Sequence, residues 1–212
     1  SLNNDGKIDI SSVGTLNTTN TTAEKSSFFI NNGGRFYGGR GYILANTILI
    51  SNTTGILNFN SLTITGVLTH SNNTDSSAPW IPNAIINLTV SENLTINPSG
   101  LIDVSGKGYR YAGGSTGNGP GAGSSTTGVA TGGVGAYGGQ GGSASTGDGS
   151  GTGGNSYGSL LTPTDVGSSG GSSSTSYLTT DAGGLIILNV SDTILINGNI
   201  SSDAITHSSS HG

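Results

Sequence analysis

Apolar and polar residues alternate in short bursts along this chain, and four of the bursts share one plan. Each is a short apolar–x–apolar strand, a turn containing glycine, and a second short strand. They read TILISNTTGILNF (47–59), SLTITGVLTH (61–70), NLTINPSGLIDVS (93–105) and TILINGNISSDA (193–204). The last two extend upstream into a longer match, INLTVSENLTIN (86–97) against ILNVSDTILIN (187–197). In it Val90-Ser91-Glu92 answers Val190-Ser191-Asp192, and Leu94-Thr95-Ile96 answers Ile194-Leu195-Ile196. Successive strand residues point to opposite faces, so Leu94 and Ile96 are expected on one side and Asn93, Thr95 and Asn97 on the other. The alternation predicts strands of three to six residues, and no stretch holds a 3.6-residue period for three turns.

One such unit cannot bury its apolar side alone. Stacked copies let each strand pair with its equivalent one turn away, and the inward aliphatics then form a continuous column. Gly and Asn at the corners suit this, because both tolerate positive φ. The pattern therefore predicts an all-β parallel β-helix, with residues 1–212 as a single domain. A β-sandwich is the alternative, since short strands with regular turn signals also describe it.

Between Gly106 and Gly184 the pattern stops, and this stretch holds 27 of the 39 glycines. By composition it reads as a flexible linker. A linker has no use for Tyr109, Tyr111, Tyr137, Tyr157, Leu160, Leu161 and Tyr177, which are spaced through it like anchors. The expectation is an ordered excursion of 106–184 docked on the sheet surface, its tyrosines packed flat with their hydroxyls in water.

Composition narrows the function classes. Charged residues are 8% of the chain and the net charge is −5, with six Lys and Arg. Nucleic-acid binding would lack its main electrostatic term. There is no cysteine to form disulfides, and no apolar run approaches the ~18 residues of a membrane span. Low charge with abundant Ser, Thr and Asn fits a secreted or cell-surface β protein better than a disordered tail. A start at Ser1 suggests a processed chain or a piece of a longer one.

The strings GLIDVSGKGYRYAGG, GPGAG, AYGGQGG, YGSLLTPTDVGSSGG and GGLIILNVSDTILINGNIS occur in that order over about residues 85–204. Together they resemble a glycine-rich module of large secreted and cell-surface, adhesin-like proteins of bacteria and protists. The resemblance implies a right-handed parallel β-helix, a structural or adhesive role, and no catalytic residues. The chain departs from that module at its end, which reads THSSSHG instead of a further glycine-rich rung.

Candidate chemistry is sparse. Polysaccharide-cleaving enzymes need two carboxyl groups about 5–10 Å apart, and the chain offers nine Asp and two Glu. Asp103 and Asp203 fall in equivalent late-repeat regions, which allows a carboxylate ladder. The cations that a lyase requires are too few, so turn and surface roles are preferred and no catalysis is expected. GSSGG (167–171) fits a nucleophile motif around Ser169, but that motif needs a following helix and none is predicted. The glycine runs likewise lack the helix that dinucleotide binding needs. GGRFYGGRGY (33–42) is read as strand–turn–strand and not as an arginine–glycine RNA-binding box. LNNDGKIDI (2–10) resembles part of a calcium loop through Asn3, Asp5 and Asp9, yet NDGK is equally a good hairpin turn; Ca²⁺ is the one cofactor suggested. Thr63 and Thr65 are too isolated for an ice- or mineral-binding array.

Eight sequons mark possible N-glycosylation: Asn17, Asn20, Asn52, Asn72, Asn87, Asn93, Asn189 and Asn199. Asn93, Asn189 and Asn199 stand where the alternation points outward. Asn87 is less comfortable, because its repeat equivalent is Ile187. The functional expectation is a subunit or segment of a surface fibre or filament that self-associates through uncapped ends. A carbohydrate-binding or polysaccharide-degrading β-helix is the alternative, which requires exposed aromatics aligned with clustered carboxylates.

Overall fold

Strand pairing sets Val90 against Val190 and Leu94 against Ile194, the equivalence that the two long repeats predict. The computed structural model describes residues 2–4, 8–10, 15–23, 27–31, 35–43, 48–111, 113–126, 132–146, 149–172 and 178–208. No helix occurs among them. The chain divides into two compact units, each made of three chain segments. The first holds Ser1–Ser71, Asn83–Val104 and Ile186–Ser201; the second holds Asn72–Pro82, Ser105–Leu185 and Ser202–Gly212.

The first unit is two parallel sheets that the chain visits in alternation. One contains β1 (Leu2–Asn4), β3 (Thr15–Ala23), β5 (Arg35–Ile43), β7 (Leu57–Ile64), β10 (Leu94–Ile96) and β17 (Ile194–Ile196), in that spatial order. Beside them β9 (Ile86–Val90) pairs with both β7 and β16 (Ile186–Val190). The other sheet runs β2 (Ile8–Ile10), β4 (Ser27–Asn31), β6 (Ile48–Asn52), β8 (Val67–His70), β11 (Leu101–Asp103) and β18 (Asn199–Ser201). The register advances by 20 residues from β3 to β5 and by 21 from β5 to β7. It then advances by 32 from β7 to β10 and by 100 from β10 to β17. The two long steps contain 72–82 and 105–185, so both insertions leave the repeat at the same point, after its second-sheet strand.

Register stacks like residues on like. Ile43, Ile64 and Ile96 share one column and are 2%, 0% and 0% exposed; Leu49, Leu68 and Ile102 share another at 3%, 0% and 0%. Both columns belong to one core cluster with Leu57, Leu62, Ile86, Leu88 and Leu94. At about 1.5–3 kcal/mol for each aliphatic side chain taken out of water, these columns dominate the unit's stability. Phe59 shows how the core accommodates a ring: a Cβ at Gly41 would lie 2.5 Å from it, so glycine leaves the space that phenylalanine fills.

Several expectations need correction. Strand β7, which runs through two of the repeats, is eight residues, beyond the predicted three to six; β3 and β5, ahead of the repeats, are nine. The long β7 pairs through Leu57–Phe59 with β9 and through Leu62–Ile64 with β10, so Ser91–Asn93 marks a break that earlier strands lack. GGRFYGGRGY is not strand–turn–strand, because Arg35–Ile43 is one continuous strand. The strands on either side of NDGK do not pair as a hairpin: β1 pairs with β3 and β2 with β4, each parallel and in a different sheet.

The second unit is built differently. It contains an antiparallel trio, β12 (Ser124–Ser125), β13 (Ala144–Thr146) and β14 (Gly149–Thr152), and an antiparallel pair, β15 (Leu178–Asp181) with β19 (Ile205–Ser208). Most of its order comes from extended glycine-rich segments that bond to more than two neighbours. Within 132–138, Gly133 and Ala136 donate to Ser124 and Gly121, while their carbonyls accept from Gly171 and Ser168. Val134 donates to Gly142 and accepts from Gly154, and Gly138 donates to Tyr157. Donors three residues apart thus serve one neighbour and the residues between them serve others. That three-residue spacing departs from the two-residue period of a β-strand. Such packing requires that side chains be absent: a Cβ at Gly133, Gly135 or Gly154 would fall on the carbonyl of Thr152, Ser168 or Gly121. Within this unit, glycine serves backbone-to-backbone packing in three directions.

Candidate interaction surface

The tyrosines of the second unit are pillars, and the expectation of hydroxyls in water is corrected for them. Tyr109 is fully buried, packs edge-on against Trp80 with ring centroids 5.5 Å apart, and donates its hydroxyl to Asp165 Oδ1 at 2.9 Å. Tyr111 donates to the carbonyls of Gly114 and Ser172 at 2.6 and 2.9 Å. Tyr137 and Tyr157 meet edge to face at 5.0 Å. A relay runs from the Gly121 amide to Ser168 Oγ (3.0 Å), from that hydroxyl to the Tyr157 oxygen (2.9 Å), and from Tyr157 to the Val166 carbonyl. Burial pushes the Tyr109 and Tyr157 hydroxyls far above the ordinary tyrosine range, so both stay protonated as donors. Tyr177 lies outside the described residues.

The same unit absorbs the candidate chemistry into structure. Asp165 takes the Tyr109 hydroxyl and the Val166 amide on one oxygen, and burial raises its carboxyl above the usual range. Asp181 is buried, accepts from the Tyr111 amide at 2.9 Å and lies 3.6 Å from Arg110 Nε. Asp75 caps the Ile81 amide at 2.9 Å. Ser169 is buried, and its hydroxyl accepts from the Asn118 amide at 2.7 Å and contacts the Asn118 carbonyl at 3.3 Å. The carboxylate ladder is not formed, because Asp103 pairs with Ser201 and not with Asp203. Among the described residues no three His, Asp or Glu gather as metal ligands; Asp5 of the suggested calcium loop lies outside them.

The sequons fall in different settings. Asn17 and Asn20 lie in β3, and Asn87 is half-buried opposite Ile187. Asn52 accepts from the Ser71 hydroxyl through its side-chain oxygen, and Asn72 accepts from Lys107 Nζ at 2.8 Å. Asn93, Asn189 and Asn199 are exposed, as the alternation predicts.

The open feature of the first unit is its last register step. Ile194 and Ile196 continue the columns of Leu94 and Ile96, which are 0% exposed, yet they are themselves 45% and 49% exposed. Leu195 is 49% exposed, and Ile200, in register with the buried Ile102, is 39% exposed. Each of β16, β17 and β18 has one strand partner among the described residues, so their second edges carry no strand there. Equivalence with 94–96 places 194–196 in the core. The signal that separates the two is position in the series, since 193–204 is the last of the four repeats. Neither a family model, nor a curated protein, nor a solved structure matches the chain.

Proposed function

We propose that this chain is a non-catalytic structural or adhesive segment of a secreted or cell-surface fibre, its first unit coiled as a right-handed parallel β-helix. One observation carries the reading: strands β3, β5 and β7 recur in register about every 20 residues, all parallel, with matching aliphatics in the columns that continue from them. Parallel strands need a crossover, and crossovers in a sheet are overwhelmingly right-handed. Parallel pairing throughout the unit favours the β-helix over a sandwich, whose sheets are built from antiparallel strands. A stack of this kind bears load along its axis through ladder hydrogen bonds, and it associates through its ends. The hydroxyls of Tyr109, Tyr111 and Tyr157 are spent on internal bonds, which favours the structural role over a sugar-binding groove. Immunogold labelling of intact producing cells tests the proposal. Label on surface fibres or a sheath is the expected outcome; label confined to the cell interior, or turnover of a sugar polymer by the purified chain, overturns it.

A further inference from the structure

Asn197 and Gly198 form the corner between β17 and β18, and the packing that requires glycine there leaves the pair chemically labile. We propose that Asn197 is a site of spontaneous backbone modification, converting to aspartate and isoaspartate without an enzyme.

The glycine is dictated by the preceding repeat. A Cβ at Gly198 would lie 2.1 Å from the Gly100 carbonyl oxygen and 2.4 Å from that of Asn97. A residue without a side chain also leaves its own amide nitrogen unhindered. That nitrogen gives up its proton to solvent base and attacks Cγ of Asn197, closing a cyclic imide, and the carboxamide nitrogen takes up a proton and leaves as ammonia. Water then opens the ring at either carbonyl, giving aspartate or isoaspartate, with no oxidant or reductant. The amides on either side are held: Asn197 donates to Ile96 at 2.8 Å and Asn199 to Gly100 at 3.1 Å. Between them, neither the Gly198 amide nor the Asn197 carboxamide is hydrogen-bonded to another described residue. Corner amides bond backward along the series, as Thr65 and Gly66 do to Ile43 and Asn97 does to Ile64. A repeat stacked beyond β18 would by the same rule present donors to carbonyls and leave the Gly198 amide as it is.

The chain supplies its own comparisons. One repeat earlier the same position is Asn97–Pro98, and proline has no N–H with which to close the ring. Asn118–Gly119 in the second unit is restrained. Its carboxamide donates to the Arg110 carbonyl at 2.7 Å, and its backbone bonds Ser169 through both amide and carbonyl, at 2.7 and 2.9 Å. Breaking these bonds first is expected to slow Asn118 about tenfold relative to Asn197. Asn32–Gly33 lies outside the described residues. In isoaspartate the main chain passes through Cβ and Cγ, a longer path at a corner without room for it, and the new carboxylate adds to a net charge of −5. Strand β18 is therefore expected to loosen from β11, to which Asn199 ties it.

The test ages the purified chain in mildly alkaline buffer, both folded and in urea. Cleavage before aspartate then separates residues 192–202 from residues 103–147, which hold Asn197 and Asn118 respectively. In the folded chain 192–202 is expected to gain one mass unit as uncut isoaspartate, or to be cut at 197 as aspartate, about tenfold ahead of 103–147. In urea the two sites are expected to convert alike. Hydrogen-exchange protection at Asn199 is expected to fall in step with conversion and to hold in Asn197→Ser. A folded chain in which Asn197 stays intact, or converts no faster than Asn118, overturns the site. Unequal rates in urea would mean that sequence neighbours, and not the fold, set the order. Full conversion with Asn199 still protected overturns the loosening of β18.

Discussion

Glycine does two opposite things in this chain, and a single methyl group tells them apart. A Cβ at Gly154 would land on the Gly121 carbonyl, while the Gly154 amide and carbonyl bond to Val134 and Gly141 at 3.0 and 2.9 Å. Neither backbone can retreat, so Gly154→Ala is expected to destabilise the second unit by about 1–3 kcal/mol, the usual cost of overpacking. At Gly142 the nearest atom is Val134 Cγ2 at 4.0 Å. There Ala only restricts the unfolded chain, and Gly142→Ala is expected to be neutral or stabilising by up to about 1 kcal/mol. Urea melts of both variants check the pair; equal effects would refute backbone-to-backbone packing. Asp165 supplies a pH test. Burial raises its folded carboxyl above the unfolded value, so the ionised form costs stability at neutral pH. That cost is lifted as pH falls through the raised folded value, and no further change comes once pH is below the unfolded value. Asp165→Asn keeps an acceptor for Tyr109 but cannot gain this way. Wild type is therefore expected to gain on the variant as pH drops from neutral into the carboxylate range, measured by paired melts. A difference that moves the other way would mean the carboxylate is stabilised in place.

The strands legible in the sequence are those with clean alternation, and the reason is physical. Leu94-Thr95-Ile96 has one buried face, and a half-buried strand writes a two-residue period into the sequence. The match of 86–97 with 187–197 carries the register itself, since columns of like residues are what a stack selects. The long strands β3 and β5 escape such a reading because TLNTTNTTA and RFYGGRGYI carry polar residues and glycine at many positions, so alternation is weak. Composition bounds the glycine-rich unit well, 106–184 against Ser105–Leu185, but its internal order is not legible. A three-residue backbone period leaves no pattern of hydrophobicity, because the groups that pack are amides and carbonyls. Equivalent columns also make a quantitative prediction. Ile96 is fully buried and Ile196 is 49% exposed in the same column. Ile96→Ala is expected to cost about 2–5 kcal/mol, and Ile196→Ala about half as much or less in the unassociated chain. Equal costs in denaturant titrations would show that the last step is covered in the folded monomer.

Across the whole molecule the sequons differ in what a sugar would displace. Asn93, Asn189 and Asn199 are exposed, so a glycan on any of them leaves the packing beneath it unchanged. Asn52 and Asn72 are engaged: Asn52 accepts from the Ser71 hydroxyl, and Asn72 accepts from Lys107 Nζ at 2.8 Å. Asn87 is half-buried opposite Ile187. A glycan is bulky and strongly hydrated, so holding one against packed neighbours is costly. Expression in a glycosylating host is therefore expected to load Asn93, Asn189 and Asn199 ahead of Asn52, Asn72 and Asn87. Occupancy read site by site by mass spectrometry checks this. Asn87 loaded as fully as Asn199 would show that its face of β9 is open in the folded chain.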